Sequence, residues 1–322
     1  MILTVPLQPT EAMHKLTQPI TEKVDHIVDG KSSNITLKTP QQQPFAIRNI
    51  QMNMSQKEVE AQLGSPVDIL DNEYGTKWYV YHHDYHDFVL VSYIDGKVHG
   101  LFSNQNLITS KSGIKYNTPK DVVRKKLGKP LEEIRKGNTI YRQNHDEYDV
   151  FDNDNVYTTI FFDKYNDNHV TALLQVSKEM ENRLQHQYAA PSTNLAKSYE
   201  KMDFYLVNAT RVQNGLNVLK ESNAIANTAR KHSQDMAENQ YFDHTNLKGE
   251  SPFDRLKNDH HQFSTAAENL AYGQQSAIFA HQGLMNSAGH RKNILHSNVT
   301  TLGVGVSFNT KKQPYWTENY TG

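Results

Sequence analysis

Three polar side chains, His244, Glu268 and His290, lie in separate segments near the end of the chain, each beside apolar residues. Neutral imidazole is the commonest side-chain ligand for zinc and similar metals, and a carboxylate can complete or orient such a site. Two histidines and one glutamate would leave a coordination position open, as catalytic metal sites do. These residue types are therefore compatible with a shared site for zinc or a similar divalent metal, but spacing alone does not single them out among the 16 histidines of the chain.

Other catalytic chemistry finds little support in the sequence. The chain has no cysteine, which excludes disulfides, thiolate nucleophiles, iron–sulfur clusters and cysteine zinc sites. It also has no Gly-x-Ser-x-Gly elbow, no His-Glu-x-x-His and no phosphate-binding glycine loop. Ser287 lies close to His290 without a recognisable orienting acid, so we expect it to be a cap or turn residue. Hydrolysis would have to use a metal-bound water, with Glu268 as the general base.

A second group of histidines and aspartates lies in the N-terminal half, between Tyr81 and Phe88. Its members are His82, His83, Asp84, His86 and Asp87. The flanking Tyr-Val-Tyr and Phe-Val-Leu-Val runs are typical of strands, which favours a polar hairpin connection over a metal site.

Length and charge limit the classes of function. A chain of 322 residues is long enough for about two domains, and its formal net charge of -1 argues against a nucleic-acid partner. No apolar run is long enough to span a bilayer, so we expect no transmembrane segment. The apolar run at Met1 to Pro6 is too short for a signal peptide and lacks the positive charges that precede one. If the protein is exported, its signal or anchor is not part of this sequence.

An internal repeat organises the N-terminal half, with a constant offset of 64 positions. Each copy predicts a short helix that ends at glycine and is followed by strands. The repeated positions are Val59, Leu63, Gly64 and Pro66, which recur as Val123, Leu127, Gly128 and Pro130. Ser55 and Pro119 stand at the two helix starts, as a cap or an N1 proline. We predict a tandem-repeat α+β domain over 45–182, preceded by a polar tether or arm at 1–44.

A polar segment at 183–198 is expected to be a linker to a second domain at 199–322. Apolar residues at steps of three and four predict helices there: Leu206, Ala209, Val212, Leu216 and Leu219 for the first, Ile225, Ala229, His232 and Met236 for the second, and Ile278 to Met285 for the third. Glycine-rich strands follow at Leu302 to Phe308 and Tyr315 to Thr317. Helices combined with a late sheet predict an α–β–α sandwich, so the fold class of the whole chain is α+β.

A series of ordered motifs in 199–322 resembles the bacterial branch of the CAP superfamily, which groups cysteine-rich secretory, antigen 5 and pathogenesis-related proteins. The motifs are Asn208-x-x-Arg211, Ala229 to Met236, Tyr241 to His244, Gly249 to Pro252, Glu268-Asn269, Ser287 to Leu295 and Gly303-Val304-Gly305. The resemblance implies an α–β–α sandwich with a central cleft. It also implies that His244, Glu268 and His290 line this cleft, where members can bind a divalent metal.

The repeat region at 45–182 similarly resembles the CAP-associated N-terminal domain of Gram-positive envelope proteins. This implies a location outside the cell or at its envelope. It also implies a partner that is an envelope protein, a lipid or a cell-wall component.

The chain departs from the family pattern at three positions. Eukaryotic members carry a second cleft glutamate in the third helix, where residues 282–286 of this chain (Gln-Gly-Leu-Met-Asn) offer no carboxylate. Leu284 stands where bacterial members usually have tryptophan. Glu318 stands where an amide is common; it could replace the missing carboxylate, although we expect an exposed glutamate at a strand end.

Two functions therefore stay open. The first is a non-enzymatic envelope module whose cleft binds a metal, a small ligand or both, with a partner on the N-terminal domain. The second is a metal-assisted hydrolase of peptidase or esterase type that uses the same cleft, with Glu268 as its base. The reduced set of ligands favours the first, because a shared fold does not imply catalysis.

Overall fold

The computed structural model describes residues 2–9, 35–136, 139–143 and 146–322. The chain forms two compact units, one spanning residues 33–202 and the other residues 203–322 together with the N-terminal strand Ile2–Pro9. The division falls within a long helix, four residues beyond the predicted domain start at 199. Among the described residues, no helix combines the length and apolar character needed to cross a membrane.

The described helices and strands are numbered here in chain order. The helices are α1 (Gln56–Leu63), α2 (Lys120–Leu127), α3 (Lys178–Arg183), α4 (Thr193–Gln213), α5 (Asn223–Asn239), α6 (Pro252–Asn258), α7 (Ala277–Met285) and α8 (Ala288–Ile294). The strands are β1 (Ile2–Pro9), β2 (Phe45–Ile47), β3 (Asp68–Asp71), β4 (Lys77–His83), β5 (His86–Ile94), β6 (Lys97–Ser103), β7 (Ile108–Ser110), β8 (Glu133–Lys136), β9 (Thr139–Arg142), β10 (Tyr148–Asn153), β11 (Val156–Asp163), β12 (His169–Ser177), β13 (Lys220–Glu221), β14 (Thr265–Tyr272), β15 (Thr301–Phe308) and β16 (Pro314–Thr321).

The N-terminal unit is built on a seven-stranded antiparallel sheet in the order β10-β11-β12-β6-β5-β4-β3. The predicted repeat is confirmed in its helices, because α1 and α2 begin and end at positions 64 apart. Ser55 closes a capping box with Glu58, whereas Pro119 lies at the N-cap of α2 rather than inside the helix. The two copies meet where β6 pairs with β12 in the middle of the sheet.

The predicted hairpin at the histidine and aspartate cluster is also confirmed. Strand β4 ends at His83 and β5 begins at His86, with Asp84 and Tyr85 in the turn at positive φ. A tight turn joins these two antiparallel strands, so the cluster lies at a hairpin connection.

The C-terminal unit has a five-stranded sheet in the order β1-β14-β16-β15-β13. Successive side chains of a strand point to opposite faces, so the contacts of Glu268 and Asn269 identify the two helical layers. Glu268 contacts Arg255 of α6, whereas Asn269 contacts α8 and Glu318, beside which Asp203 of α4 lies. The sheet therefore lies between α5 and α6 on one face and α4, α7 and α8 on the other, the α–β–α sandwich that the sequence predicts.

Two glycines of β15 allow helix α5 to pack directly against the sheet. A Cβ atom at Gly303 would lie 2.3 Å from the backbone nitrogen of Ala226, and one at Gly305 would lie 2.1 Å from that of Arg230. Only a residue without a side chain permits so close an approach between a strand and a helix backbone. The Gly-Val-Gly motif thus fixes the height of α5 above the sheet.

The structure differs from the predicted N-terminal arm at Ile2–Pro9. This segment is a strand, β1, that pairs antiparallel with β14, Val5 opposite Glu268. The reason is that the outer edge of β14 offers backbone hydrogen-bonding groups that an extended chain can satisfy. Residues 10–34 of the predicted arm lie outside the described residues, and 35–40 have no regular structure. In the predicted linker 183–198, helix α4 already begins at Thr193.

Candidate functional site

His244 and Glu268 are in direct contact at the centre of the candidate site. Nδ1 of His244 lies 2.9 Å from Oε1 of Glu268, and the Glu268 side chain is fully buried. A carboxylate only accepts, so Nδ1 of His244 donates this bond. In the neutral imidazole, Nε2 is then the ring nitrogen that can bind a metal, and it has no hydrogen-bond partner within the described ranges. Such an imidazole, oriented by a carboxylate, has the arrangement of a metal-ligating histidine.

Arg255, which the sequence analysis did not single out, completes this group. Its Nη2 donates to Oε2 of Glu268 at 2.6 Å, and its Nη1 donates to the backbone oxygen of His244 at 2.6 Å. Helix α6 positions it, because Ser251 and Asp254 form a capping box and Pro252 begins the helix. The Gly-Glu-Ser-Pro motif could have located that helix. No local sequence signal, however, identifies Glu268 of strand β14 as the partner of Arg255.

The contacts of Glu268 determine its protonation state. Burial would raise its pKa, but the charge of Arg255 and the hydrogen bond from His244 outweigh burial and lower the pKa below its ordinary value. Glu268 is therefore a carboxylate with both oxygens already engaged. A general base works best with a pKa near the working pH, which does not describe this group.

His290 lies on α8, the helix that packs against β14 on the Asn269 face. Its Nδ1 lies 2.6 Å from Oγ of Ser287, and its backbone oxygen accepts from Nδ2 of Asn269 at 3.2 Å. Asn293, one turn further along α8, donates to Oδ1 of Asn269 at 2.9 Å. The structure thus ties His290 to the strand that carries Glu268, and Ser287 bonds the ring of His290 while standing at the start of α8.

His232, Asn208 and Arg211 belong to the CAP-like motifs and make structural contacts. His232 is buried and its Nε2 bonds to the backbone oxygen of Asp243, which holds the segment before His244. Asn208 and Arg211 bind the loop after α4, at Leu219 and Asn217, and Arg211 also reaches the end of α8. They therefore anchor α4 to neighbouring loops rather than to the sheet itself.

The expected exposure of Glu318 is wrong. The residue is 0% exposed, because β16 lies between β14 and β15 and is covered by helices on both faces. Its Oε2 accepts from the hydroxyl of Tyr320 at 2.6 Å and from Nδ2 of Asn269 at 2.9 Å. Glu318 therefore belongs to the buried interior and not to a strand end.

Glu318 forms part of a buried group with Asp203 of α4 and His281 of α7. One ligand atom from each of the three lies within 4.8 Å of the others, and all three residues are fully buried. Among the described residues, this is the group of three potential ligands whose atoms come that close together, and such a group could hold a metal ion. His244, Glu268 and His290 do not form a group of this kind.

Comparisons with known proteins agree with both units. Residues 52–187 match the CAP-associated N-terminal family, and residues 204–320 match the cysteine-rich secretory protein family, CAP. The uncharacterized membrane protein YlbC of Bacillus subtilis (strain 168) is 31% identical over 282 residues, 82% of this chain and 80% of that protein. The uncharacterized protein YkwD of the same organism is 40% identical over 134 residues, 42% of this chain and 50% of that protein.

Two solved structures share the architecture. An extracellular protein containing a SCP domain from Bacillus anthracis str. Ames aligns with a TM-score of 0.71 at 25% identity, over 84% of this chain and 93% of that one. A cysteine-rich secretory protein from Staphylococcus aureus subsp. aureus Mu50 aligns with a TM-score of 0.68 at 16% identity, over 88% of this chain and 97% of that one. Together with the motifs and the sandwich, these matches establish that the chain belongs to the CAP family of cysteine-rich secretory proteins and carries a CAP-associated domain ahead of its CAP domain.

Proposed function

We propose that this chain is a non-catalytic module that acts outside the cell or at the cell envelope. Its CAP domain, taken as 199–322, would bind a divalent metal, a small ligand or both in the cleft through His244 and His290. Its repeat domain, taken as 45–182, would bind an envelope protein, a lipid or a cell-wall component. An extracellular relative of similar architecture supports the location.

The single observation that carries the metal proposal is the state of the His244 ring. Its Nδ1 is held by buried Glu268, and its Nε2 has no hydrogen-bond partner among the residues described. Nδ1 of His290 shares a hydrogen bond with Oγ of Ser287, in which either atom can be the donor; when the ring donates, Nε2 is the nitrogen that would bind a metal. In this arrangement Nε2 of His244 would be the first ligand of the ion, and Glu268 would orient that ring. His290 lies on α8 at the opposite face of β14, so it would have to reach the same ion around the edge of that strand. Zinc accepts imidazole ligands and is the first ion to test.

The alternative, a metal-assisted hydrolase, needs Glu268 as a general base. The salt bridge with Arg255 lowers the pKa of that carboxyl and engages its second oxygen, which works against proton abstraction. A metal would lower the pKa of a bound water, but both oxygens of Glu268 are already engaged by His244 and Arg255. The geometry therefore favours binding over hydrolysis.

Calorimetric titration with Zn²⁺ tests the cleft site directly. We expect His244→Ala and His290→Ala each to remove a binding component that the wild-type chain shows. His186→Ala is the matched control, since His186 is exposed between α3 and α4. Identical titrations of the wild type and both cleft variants would remove the cleft metal from the proposal. Cleavage of a peptide or ester library that is lost in Glu268→Gln would instead favour the hydrolase.

A concave site on the second repeat supports partner binding by the N-terminal domain. It has a volume of about 540 Å³ and is lined by Arg124, Asp149, Lys129 and the turn after α2. Arg124 is held there by two 2.8 Å bonds to Asp149. Cosedimentation of the chain with purified cell-wall material tests this role. Lys129→Glu should reduce the amount of chain that cosediments, whereas Lys57→Glu, an exposed change on α1, should not. Equal cosedimentation of the two variants would exclude this surface.

A further inference from the structure

Asp203, His281 and Glu318 concentrate two acidic groups and one imidazole in the interior of the CAP domain. They come from α4, α7 and β16, and each is 0% exposed. Within the part of the chain that the structure describes, no arginine or lysine forms a salt bridge with either carboxyl. Two buried carboxyl groups without a basic partner must be neutralised by protons or by a cation, because an unpaired buried charge is very costly.

The surrounding bonds leave one atom of each side chain directed at the others. Nε2 of His281 bonds to Oγ1 of Thr210 at 2.7 Å, so Nδ1 is the other ring nitrogen, and it has no hydrogen-bond partner among the described residues. Oε2 of Glu318 is satisfied by Tyr320 and Asn269, whereas Oε1 receives no such donor there. Neither carboxyl oxygen of Asp203 receives a hydrogen bond from a donor in the described ranges.

These three unsatisfied groups match the requirements of a metal site. Their ligand atoms all lie within 4.8 Å of one another, which places them around one small space where an ion could contact all three. The outer bonds from Thr210, Tyr320 and Asn269 would fix the ligands, as second-shell groups do in metalloproteins. One imidazole with two carboxylates suits zinc and related transition ions better than calcium, which prefers oxygen ligands alone.

We infer that Asp203, His281 and Glu318 form a second, structural site for a divalent transition metal, separate from the cleft at His244. A dication would neutralise both carboxylates and join α4 and α7 to the central strand of the sheet. The cleft differs in charge, because Arg255 already neutralises Glu268 there. The internal site lies on the opposite face of the sheet from Arg255 and Glu268.

The alternative occupant is a proton. Burial and the charge of Glu318 raise the pKa of Asp203 well above its ordinary value, so a protonated Asp203 could donate to Glu318 in the absence of a metal. Neutral amides imitate that protonated state, and therefore Asp203→Asn and Glu318→Gln should fold while losing the ion. This makes the two occupants distinguishable.

The experiment measures zinc in the full chain after expression and purification in zinc-supplemented medium, by elemental analysis, for the wild type, Asp203→Asn, Glu318→Gln and His244→Ala. Circular dichroism confirms folding of each. We expect Asp203→Asn and Glu318→Gln each to contain one equivalent of zinc fewer than the wild type, and His244→Ala to keep the internal zinc. In the chelated His244→Ala background, zinc should raise the thermal midpoint, and adding Asp203→Asn should abolish that rise.

Zinc contents of Asp203→Asn and Glu318→Gln equal to that of the wild type would overturn the inference, as would a wild-type chain that neither contains zinc nor responds to it. Zinc lost only in His244→Ala would overturn it too and would support the cleft site instead. If the cleft proposal fails, His244→Ala will have the zinc content and the titration of the wild type. That result leaves the internal site unaffected, so the two sites are tested independently.

Discussion

Arg255 and Glu268 form a buried salt bridge, with Nη2 and Oε2 2.6 Å apart and side-chain exposures of 8% and 0%. Glu268 also accepts the bond that orients His244, so the guanidinium acts on the histidine through the carboxylate. Glu268 thus links helix α6 to His244.

The first prediction concerns the loss of Arg255. Arg255→Met leaves the charge of Glu268 buried and unpaired, and should lower the free energy of unfolding by about 3–5 kcal/mol. The double variant Arg255→Met/Glu268→Leu should recover much of that loss, because it removes both charges. Urea unfolding followed through Trp316, in a Trp78→Phe background that leaves Trp316 as the sole reporter, measures this in the CAP domain.

An exposed pair provides the comparison. Lys231, whose side chain is 67% exposed, pairs with Asp259, and Lys231→Ala should cost less than about 1 kcal/mol. If Arg255→Met were no more destabilising than Lys231→Ala, the buried bridge would not have the role assigned to it.

The second prediction concerns pH and Asp203 in the chelated protein. Its pKa is raised by burial and by Glu318, so the folded chain keeps a proton that the unfolded chain releases above about pH 4. Stability from this group is full below that pH and is lost as pH rises, by up to about 1.4 kcal/mol per unit. Asp203→Asn should therefore gain stability over the wild type progressively from pH 4 to 7. Glu238→Gln, an exposed change, should show no trend; a pH-independent gain in Asp203→Asn would contradict the assignment.

The third prediction has the opposite sign. Burial lowers the pKa of His281 to about 3 from its ordinary value of 6.5. The unfolded chain then binds a proton below pH 6.5 that the folded chain refuses, so stability falls as pH drops toward 3. His281→Gln should lose less stability than the wild type across this window, by up to about 1.4 kcal/mol per pH unit. Parallel acid unfolding curves for His281→Gln and the wild type would show that His281 is not the titrating group; His186→Gln serves as the exposed control.

The fourth prediction concerns packing. Gly305→Ala would place a Cβ atom 2.1 Å from a backbone nitrogen of α5, which cannot move away alone, and should cost about 3 kcal/mol. Gly249→Ala has nothing within 4 Å and only the strain of its positive φ, so about 1 kcal/mol is expected. Equal unfolding free energies for the two variants would mean that α5 does not rest on β15 as described.

Most of the fold features predicted correctly from the sequence depend on local patterns. Helical spacing and capping residues located α1 and α2, the hairpin at His82 to Asp87 followed from its β-branched and aromatic flanks, and the ordered CAP motifs identified the sandwich. Each of these signals acts over a few residues, where propensity and capping decide the conformation.

The buried contacts were beyond such signals. Asp203, His281 and Glu318 are 78 and 37 positions apart in the chain, and only the sheet order brings them together. Glu318 was expected to be exposed because it follows the predicted strand Tyr315 to Thr317, whereas β16 continues to Thr321 and is the middle strand of its sheet. Arg255 was missed because an arginine in a short helix has the same local sequence pattern whether its side chain is exposed or forms a buried ion pair.

The pairing of β1 with β14 has a practical consequence for work on the isolated CAP domain. Without Ile2–Pro9, the backbone of β14 from Thr265 to Ala271 would form an open sheet edge beside the site histidines. Open edges recruit other extended chains. A fragment beginning at 199 should therefore self-associate or capture peptides through that edge, and ligand screens on it would report backbone pairing rather than recognition by the cleft.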